Sequence, residues 1–355
     1  MNRTRSIFLA TSLVVVLLFA GVLAASRTSR DTLFRALGNL AEVVHLVENQ
    51  YVDELNQEAL SMSLDAGLME SVDPWAAVLP PETTDEYLQL VDAPPAFGLG
   101  LSSRLGSAAV RFVLSGSPAE KAELSAWEVI ELVEDVNTRG QPLWLIRLQL
   151  MRSERDGKPV RLTVFDRNVD ERREVVLEPS EWSLRSATAE LHEEATVIHV
   201  QAIPEGTADL MTELIPEDGN LILDLRRLGW GHEEATMAVA DLFVRTGRLG
   251  SWQGRRAGSK TFASTPEAVA AALPVVLVGP DTEGAGEILA AALQRAGAVV
   301  VGNRTTGHAP HMSLIRDDGV AVWMPVGQWL RSDDSPINGN GIEPDEKVEV
   351  ASADE

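Results

Sequence analysis

VVLVGPDTEGAGEILAA, Val275–Ala291, decides the fold. Four apolar residues form a strand, Gly279-Pro280 turns the chain, and Ile288-Leu289-Ala290-Ala291 continue into an amphipathic helix. A strand entering a helix through a sharp turn exposes one side chain beside free backbone N–H groups, the arrangement that serves a nucleophile in many hydrolases. Here the turn reads Asp281, Thr282, Glu283, Gly284, Ala285, Gly286. It holds neither Ser nor Cys.

Outward from this stretch the same alternation continues. Strands are expected at 196–200, 221–225, 275–278, 299–301, 319–324 and 348–350, with helices at 207–214, 233–246 and 287–296. Near-continuous Val, Leu and Ile in such strands argue for a buried, mainly parallel sheet covered by helices. Upstream, short strands at 98–102, 109–114, 129–133, 160–165 and 173–177 enclose two helices, 117–122 and 143–152. Phe97-Gly98-Leu99-Gly100-Leu101 and SGSPAEKAEL (Ser115–Leu124) make this stretch resemble a PDZ domain. The resemblance implies a loop, Phe97–Leu101, that offers N–H groups to a peptide carboxylate while the peptide adds as a strand. Two positions where such domains carry glycine hold Glu123 and Trp127.

The N-terminal part is helical in pattern. Leu33, Leu37, Leu40, Val44 and Val47 recur at steps of three and four, a second helix is expected at 57–69, and a third at 84–91 with Thr83 or Thr84 as its cap. Before them, Arg3 and Arg5 precede the apolar run Ile7–Ala25, long enough to span a bilayer as an uncleaved anchor. The expected organisation is an anchor or signal over 1–30, a helical unit over 31–92, a PDZ-like unit over 97–179, an α/β domain over 180–350 and an acidic tail over 351–355. This is a multi-domain α+β chain placed outside the cytoplasm, at a bacterial inner membrane.

Composition narrows the partners. Thirty Lys and Arg face 53 Asp and Glu, a net charge of -23. Such acidity argues against nucleic acid and anionic lipid headgroups. No Cys is present, which removes thiol catalysis, disulfides and Cys-based zinc sites. His308 and His311 stand in HxxH spacing but lack further ligands at suggestive spacing, so neither metal nor cofactor is expected.

Several stretches, in order, resemble the carboxyl-terminal processing (tail-specific) serine peptidase family. Tyr51-Val52-Asp53 and VDPWAAVLPPE (Val72–Glu82) look like its Y-V-D and L-D-P-Y-S-x-Y-L-x-P-E. The PDZ-like stretch follows. ILDLRRLGWG (Ile222–Gly231) looks like L-D-L-R-x-N-P-G-G, GNRTTG (Gly302–Gly307) like G-x-x-T-F-G, and NGNGIEPDEKV (Asn338–Val348) like G-x-G-I-x-P-D-x-x-V. The resemblance implies a peptidase-like α/β domain of the ClpP/crotonase type. It also implies a Ser–Lys dyad with an assisting Gln. Glu287 fixes the frame, which puts Gly284 at the nucleophile position, His308 at the Lys and Met312 at the Gln. Gly229-Trp230-Gly231 and Ala285 fall where the oxyanion would be held. The reading is a pseudopeptidase that binds polypeptides or an active relative, with self-assembly open. The alternative keeps peptidase activity near polypeptide C-termini through a relocated nucleophile, Thr282, with His308 as base. The bland role for Thr282 is to cap the following helix.

Overall fold

A computed structural model describes residues 34–52, 54–104, 106–166, 169–265, 268–317 and 319–348. The expected anchor over 1–30 and the acidic tail lie outside these residues. No described helix is long and apolar enough to cross a membrane.

The chain divides into two units, one reaching Ser61 and one from Met62 onward. The first holds a helix at 34–50, called α1, in which Phe34, Leu37, Leu40, Val43 and Leu46 are exposed. Helix α2, Gln57–Val72, follows.

The second unit contains three sheets. The expected helical unit over 31–92 does not close on itself. Strand β1, Ala77–Leu79, pairs antiparallel with a strand from the far end of the chain, β16, Val320–Leu330. Helix α3, Pro81–Asp92, starts at Pro80 with no side-chain cap. Thr83 and Thr84 instead turn their hydroxyls back to the Pro80 carbonyl. Proline at the first helical position removes a donor that would lack a partner anyway, so no hydroxyl cap is needed.

Strands β2 (Leu99–Arg104), β3 (Ser107–Val113), β4 (Val129–Val133), β6 (Val160–Asp166) and β7 (Glu171–Leu177) form an antiparallel sheet in that order, with the two-residue β5, Val136–Asn137, on β4. The short helix α4, Pro118–Lys121, is capped by Ser117, whose side chain accepts from the Glu120 N–H. Helix α5, Leu143–Arg155, packs through Ile146 and Leu150 into this sheet's core. Glu123 and Trp127 have φ of 57° and 74°. The left-handed backbone that favours glycine is retained there without the glycine.

The third sheet runs β17-β14-β13-β10-β9-β8. Its strands are Glu346–Lys347, Val300–Gly302, Val275–Val278, Asn220–Asp224, Ala195–Val200 and Ala187–His192. All neighbours are parallel except the edge pair β8–β9. The crossovers carry α6 (Thr207–Leu214), α7 (Glu233–Asp241) and α8 (Ala285–Ala296). Each parallel step advances one place in a single direction, so right-handed crossovers put the three helices on one face.

A five-stranded antiparallel sheet, not expected from the sequence, covers the other side of those helices. It comprises β1, β16, β11 (Arg248–Gly254) and β12 (Ser259–Ala263), with β15 (Pro310–Asp317) on β16. Helix α8 touches both β13 and β11. Nine consecutive residues, Ala285 to Leu293, are consequently buried. A helix hydrophobic all round belongs between two layers.

Candidate functional site

The turn between β13 and α8 is held by its own backbone. Thr282 is fully buried; its hydroxyl donates to the Leu225 carbonyl at 2.9 Å and accepts from the Gly279 N–H at 3.0 Å. It neither caps α8 nor meets His308, because its hydroxyl ties the turn to the end of β10 through Leu225 and closes the turn itself through Gly279. The capping role expected of Thr282 is corrected: the N-cap of α8 is Gly284, with no side-chain cap. Residue Gly284 precedes the helix with φ 54° and ψ -112°. This is a strained conformation for any residue with a Cβ. A Cβ built there would stand 3.4 Å from the ring of Trp75.

Of the residues expected at the oxyanion position, Gly231 and Ala285 meet, while Gly229 and Trp230 face other partners. Gly231 lies against Ala285: a Cβ on it would come 2.9 Å from that of Ala285 and 2.8 Å from that of Ile203. Gly229 is covered by Phe112 of β3, whose ring would be 2.9 Å from a Cβ there. Trp230 turns its carbonyl to the Ile203 N–H at 3.0 Å.

His308 occupies the centre. Its Nδ1 lies 2.6 Å from Glu283 and its Nε2 2.9 Å from Asp73. Trp75 meets its ring edge-on at 4.3 Å. Burial pulls the imidazole pKa down, but hydrogen bonds to Asp73 and Glu283, and their charges, outweigh it and raise the pKa to about 9. His308 is therefore a cation at neutral pH, with both ring nitrogens donating. It has no free nitrogen with which to act as a base.

Beyond Glu283 stands Arg111 of β3. Its Nε donates to Glu283 at 2.8 Å, its Nη1 to Asp281 at 3.0 Å and its Nη2 to the Thr306 hydroxyl at 2.9 Å. The Trp127 ring stacks on the guanidinium at 4.8 Å. Burial pushes the Glu283 carboxyl up, but the His308 hydrogen bond and the Arg111 charge hold it below the usual value. Asp73, His308, Glu283, Arg111 and Asp281 thus form one chain of alternating charge. Three acids face two cations.

Glu287 lies apart from that chain, fully buried. It accepts from the N–H groups of Gly307 at 2.6 Å and His308 at 2.8 Å, and from the Thr305 hydroxyl. Burial raises its pKa despite these bonds. Its function is to fasten the 305–308 loop to the start of α8. Met312 sits at the bulge of β15 opposite Pro325. His311 is engaged elsewhere, bonded to Glu233 at 2.8 Å and stacked on Trp252 at 3.9 Å. Among the described residues no cluster of acids and histidines could hold a metal.

The peptide-binding loop expected at Phe97–Leu101 is closed. Phe97, Leu99 and Leu101 are buried with Gly98 and Gly100 beside them. The Phe97 N–H donates to Glu154 at 2.9 Å and the Gly98 N–H to the Pro95 carbonyl. The Leu99 N–H is taken by Ala96. Arg147 of α5 holds the Leu101 carbonyl at 2.6 Å. The N–H groups of Phe97, Gly98 and Leu99 are thus bonded within the chain, at the start of an edge strand of the sheet.

Asp73, Arg111 and Glu283 were not legible as site residues. Only the Asp-Pro-Trp turn and the two acids beside Gly284 hinted at them.

Residues 196–348 match the model of Peptidase family S41. It is similar to a carboxy-terminal processing protease of Bacillus subtilis, 24% identical over 336 residues, covering 92% of this chain and 71% of the relative. A carboxyl-terminal-processing protease of Synechocystis is 27% identical over 322 residues, covering 86% and 75%. In fold it resembles the photosystem II D1 C-terminal processing protease, with a TM-score of 0.67, 20% identity and 86% of each chain covered.

Proposed function

We propose that this chain is a pseudopeptidase: it retains the scaffold of carboxyl-terminal processing proteases and does not cleave peptides. The observation that carries the reading is Gly284. The position that the resemblance gives to the nucleophile has no side chain, and Trp75 lies over it. Acyl transfer needs a nucleophile next to a base with a free lone pair. His308 is instead a doubly bonded cation between two carboxylates. Relocated catalysis at Thr282 is disfavoured by the burial of that hydroxyl and its bond to Leu225.

The role that remains is binding: a polypeptide, or an active relative that this chain regulates by assembling with it. The PDZ-like reading of the β2–β7 sheet belongs to this proposal, as does tethering to a bacterial inner membrane with the bulk of the chain outside the cytoplasm. The apolar run at 7–25 supports the tether.

Incubation of the purified chain with casein and with a fluorophosphonate serine probe tests the central claim. Neither cleavage nor labelling is expected. Casein cleavage that survives in the wild type and vanishes in Thr282→Ala would refute it.

A further inference from the structure

Two turns of opposite charge stand at open sheet edges. From Ser186 to Leu225 the chain carries no Lys or Arg, and from Leu242 to Pro266 it carries no Asp or Glu. The first stretch holds the β8–β9 hairpin, which turns at Glu193-Glu194. The second holds the β11–β12 hairpin, whose turn begins Arg255-Arg256. All four side chains are exposed. The ion pairs nearby belong to their neighbours, Glu190 with His199 and Lys260 with Glu234; these four have none among the described residues. Strand β8 ends the six-stranded sheet and β12 ends the five-stranded one. Ala189 to His192 are exposed on β8, as is all of β12 except Phe262. An edge strand leaves every second N–H and C=O without a ladder partner. Lysine on such a strand often blunts it, but Lys260 is drawn aside to Glu234. Strand β7, the edge of the β2–β7 sheet, mixes Glu171 and Glu174 with Arg172 and Arg173 and offers neither sign.

We propose that these two edges bind each other between copies of this chain, β12 of one copy adding antiparallel to β8 of the next. The strands match in length, five residues and six. Strand β8 runs into its turn and β12 runs out of its own, so antiparallel pairing sets Arg255-Arg256 beside Glu193-Glu194. Parallel pairing would hold the two turns a strand's length apart. The added strand also covers part of Leu191, which is 80% exposed. Each copy carries both surfaces, so the partner of the basic turn is present wherever the chain is. The contact is heterologous, two different patches meeting. Repulsion between bodies of net charge -23 opposes it. At about 0.15 M salt that repulsion is screened beyond ~8 Å, whereas charges in contact still attract. The inference does not depend on whether the chain cleaves peptides.

Sedimentation velocity on the full chain in a non-ionic detergent, at about 0.15 M and about 1 M NaCl, tests this. Species heavier than one chain are expected at the lower salt and single chains at the higher. The double variants Arg255→Glu with Arg256→Glu, and Glu193→Lys with Glu194→Lys, each carry one sign on both turns. Each alone should stay single, with circular dichroism showing folded chains. Mixed in equal amounts, the two variants bring opposite turns together again, and heavier species should return. At the lower salt the amides of β8 and β12 should exchange at least about threefold more slowly in wild type than in either variant, because pairing supplies them with acceptors. Single chains in the wild type at the lower salt, association that survives both reversals, a mixture that stays single, or edge amides that exchange alike would overturn the proposal.

Discussion

At His308 a proton does the work that a covalently fixed charge does elsewhere, so its loss has a direction. The folded-state pKa of about 9 lies above the ordinary 6.5. The stability it contributes is complete below about pH 6.5 and disappears as pH rises through about 9. At 1.36 kcal/mol per pKa unit the upper bound is ~3 kcal/mol. Urea midpoints taken at pH 6 and pH 10 should differ far more for wild type than for His308→Gln; parallel pH profiles would show that the site is not coupled to folding. On the acid side Glu283, whose pKa is lowered, contributes above its unfolded value and loses that contribution as pH falls. Gly284→Ser is expected to cost about 1–3 kcal/mol, because the left-handed backbone strains any Cβ. It should restore no labelling by a fluorophosphonate. Glu123→Gly at φ 57° should stabilise by about 1 kcal/mol, read as a raised denaturation midpoint. An unchanged midpoint would mean that the left-handed backbone there is not strained.

Among the elements, β3 matters most for the site, because Arg111 and Phe112 project from it onto the turn and onto Gly229. Arg111→Met leaves Glu283 and Asp281 facing each other with only His308 in compensation. Breaking a buried pair from one side typically costs about 3–5 kcal/mol, and chemical denaturation should register a loss of that order. A loss under about 1 kcal/mol would place the Arg111 pairs with exposed ones. The elements differ in how well the sequence announced them. VVLV, the glycines after it and ILAA made β13 and α8 legible, and the apolar β9 and β10 followed by the same logic. RLGSWQG and SKTFA did not read as strands: each alternates weakly and carries polar residues, and the pair joins its sheet only where β11 meets β16, far along the chain. PHMSLIRD opens with Pro and His and passed for a loop. The three residues of β1 are too few for any periodicity. At the site, Gly284, His308 and Glu287 were legible because motif spacing fixed their frame. Asp73 lies 235 residues from His308 and Arg111 lies 172 from Glu283, and no local pattern encodes a contact at that distance.

Over the whole molecule, charge and layering set opposite kinds of behaviour. A net charge of -23 repels itself across the surface, and that repulsion is screened within about 8 Å at physiological ionic strength. The melting temperature should rise between low salt and about 0.15 M NaCl, by differential scanning calorimetry; a fall would mean that surface ion pairs outweigh the repulsion. The buried pairs of His308 with Asp73 and Glu283 are shielded from salt, so the pH response of His308 should persist across that range. The three-layer core has a further consequence. Amide protons exchange with deuterated solvent at the rate at which their surroundings open. In α8 nine residues in a row are buried between two sheets, so its amides should be the last to exchange. The helix that follows Gly284 is then the most permanent part of the fold. Anything that tunes this protein on a shorter timescale has to act through the β2–β7 sheet and the loops that rest on α8, never through α8 itself.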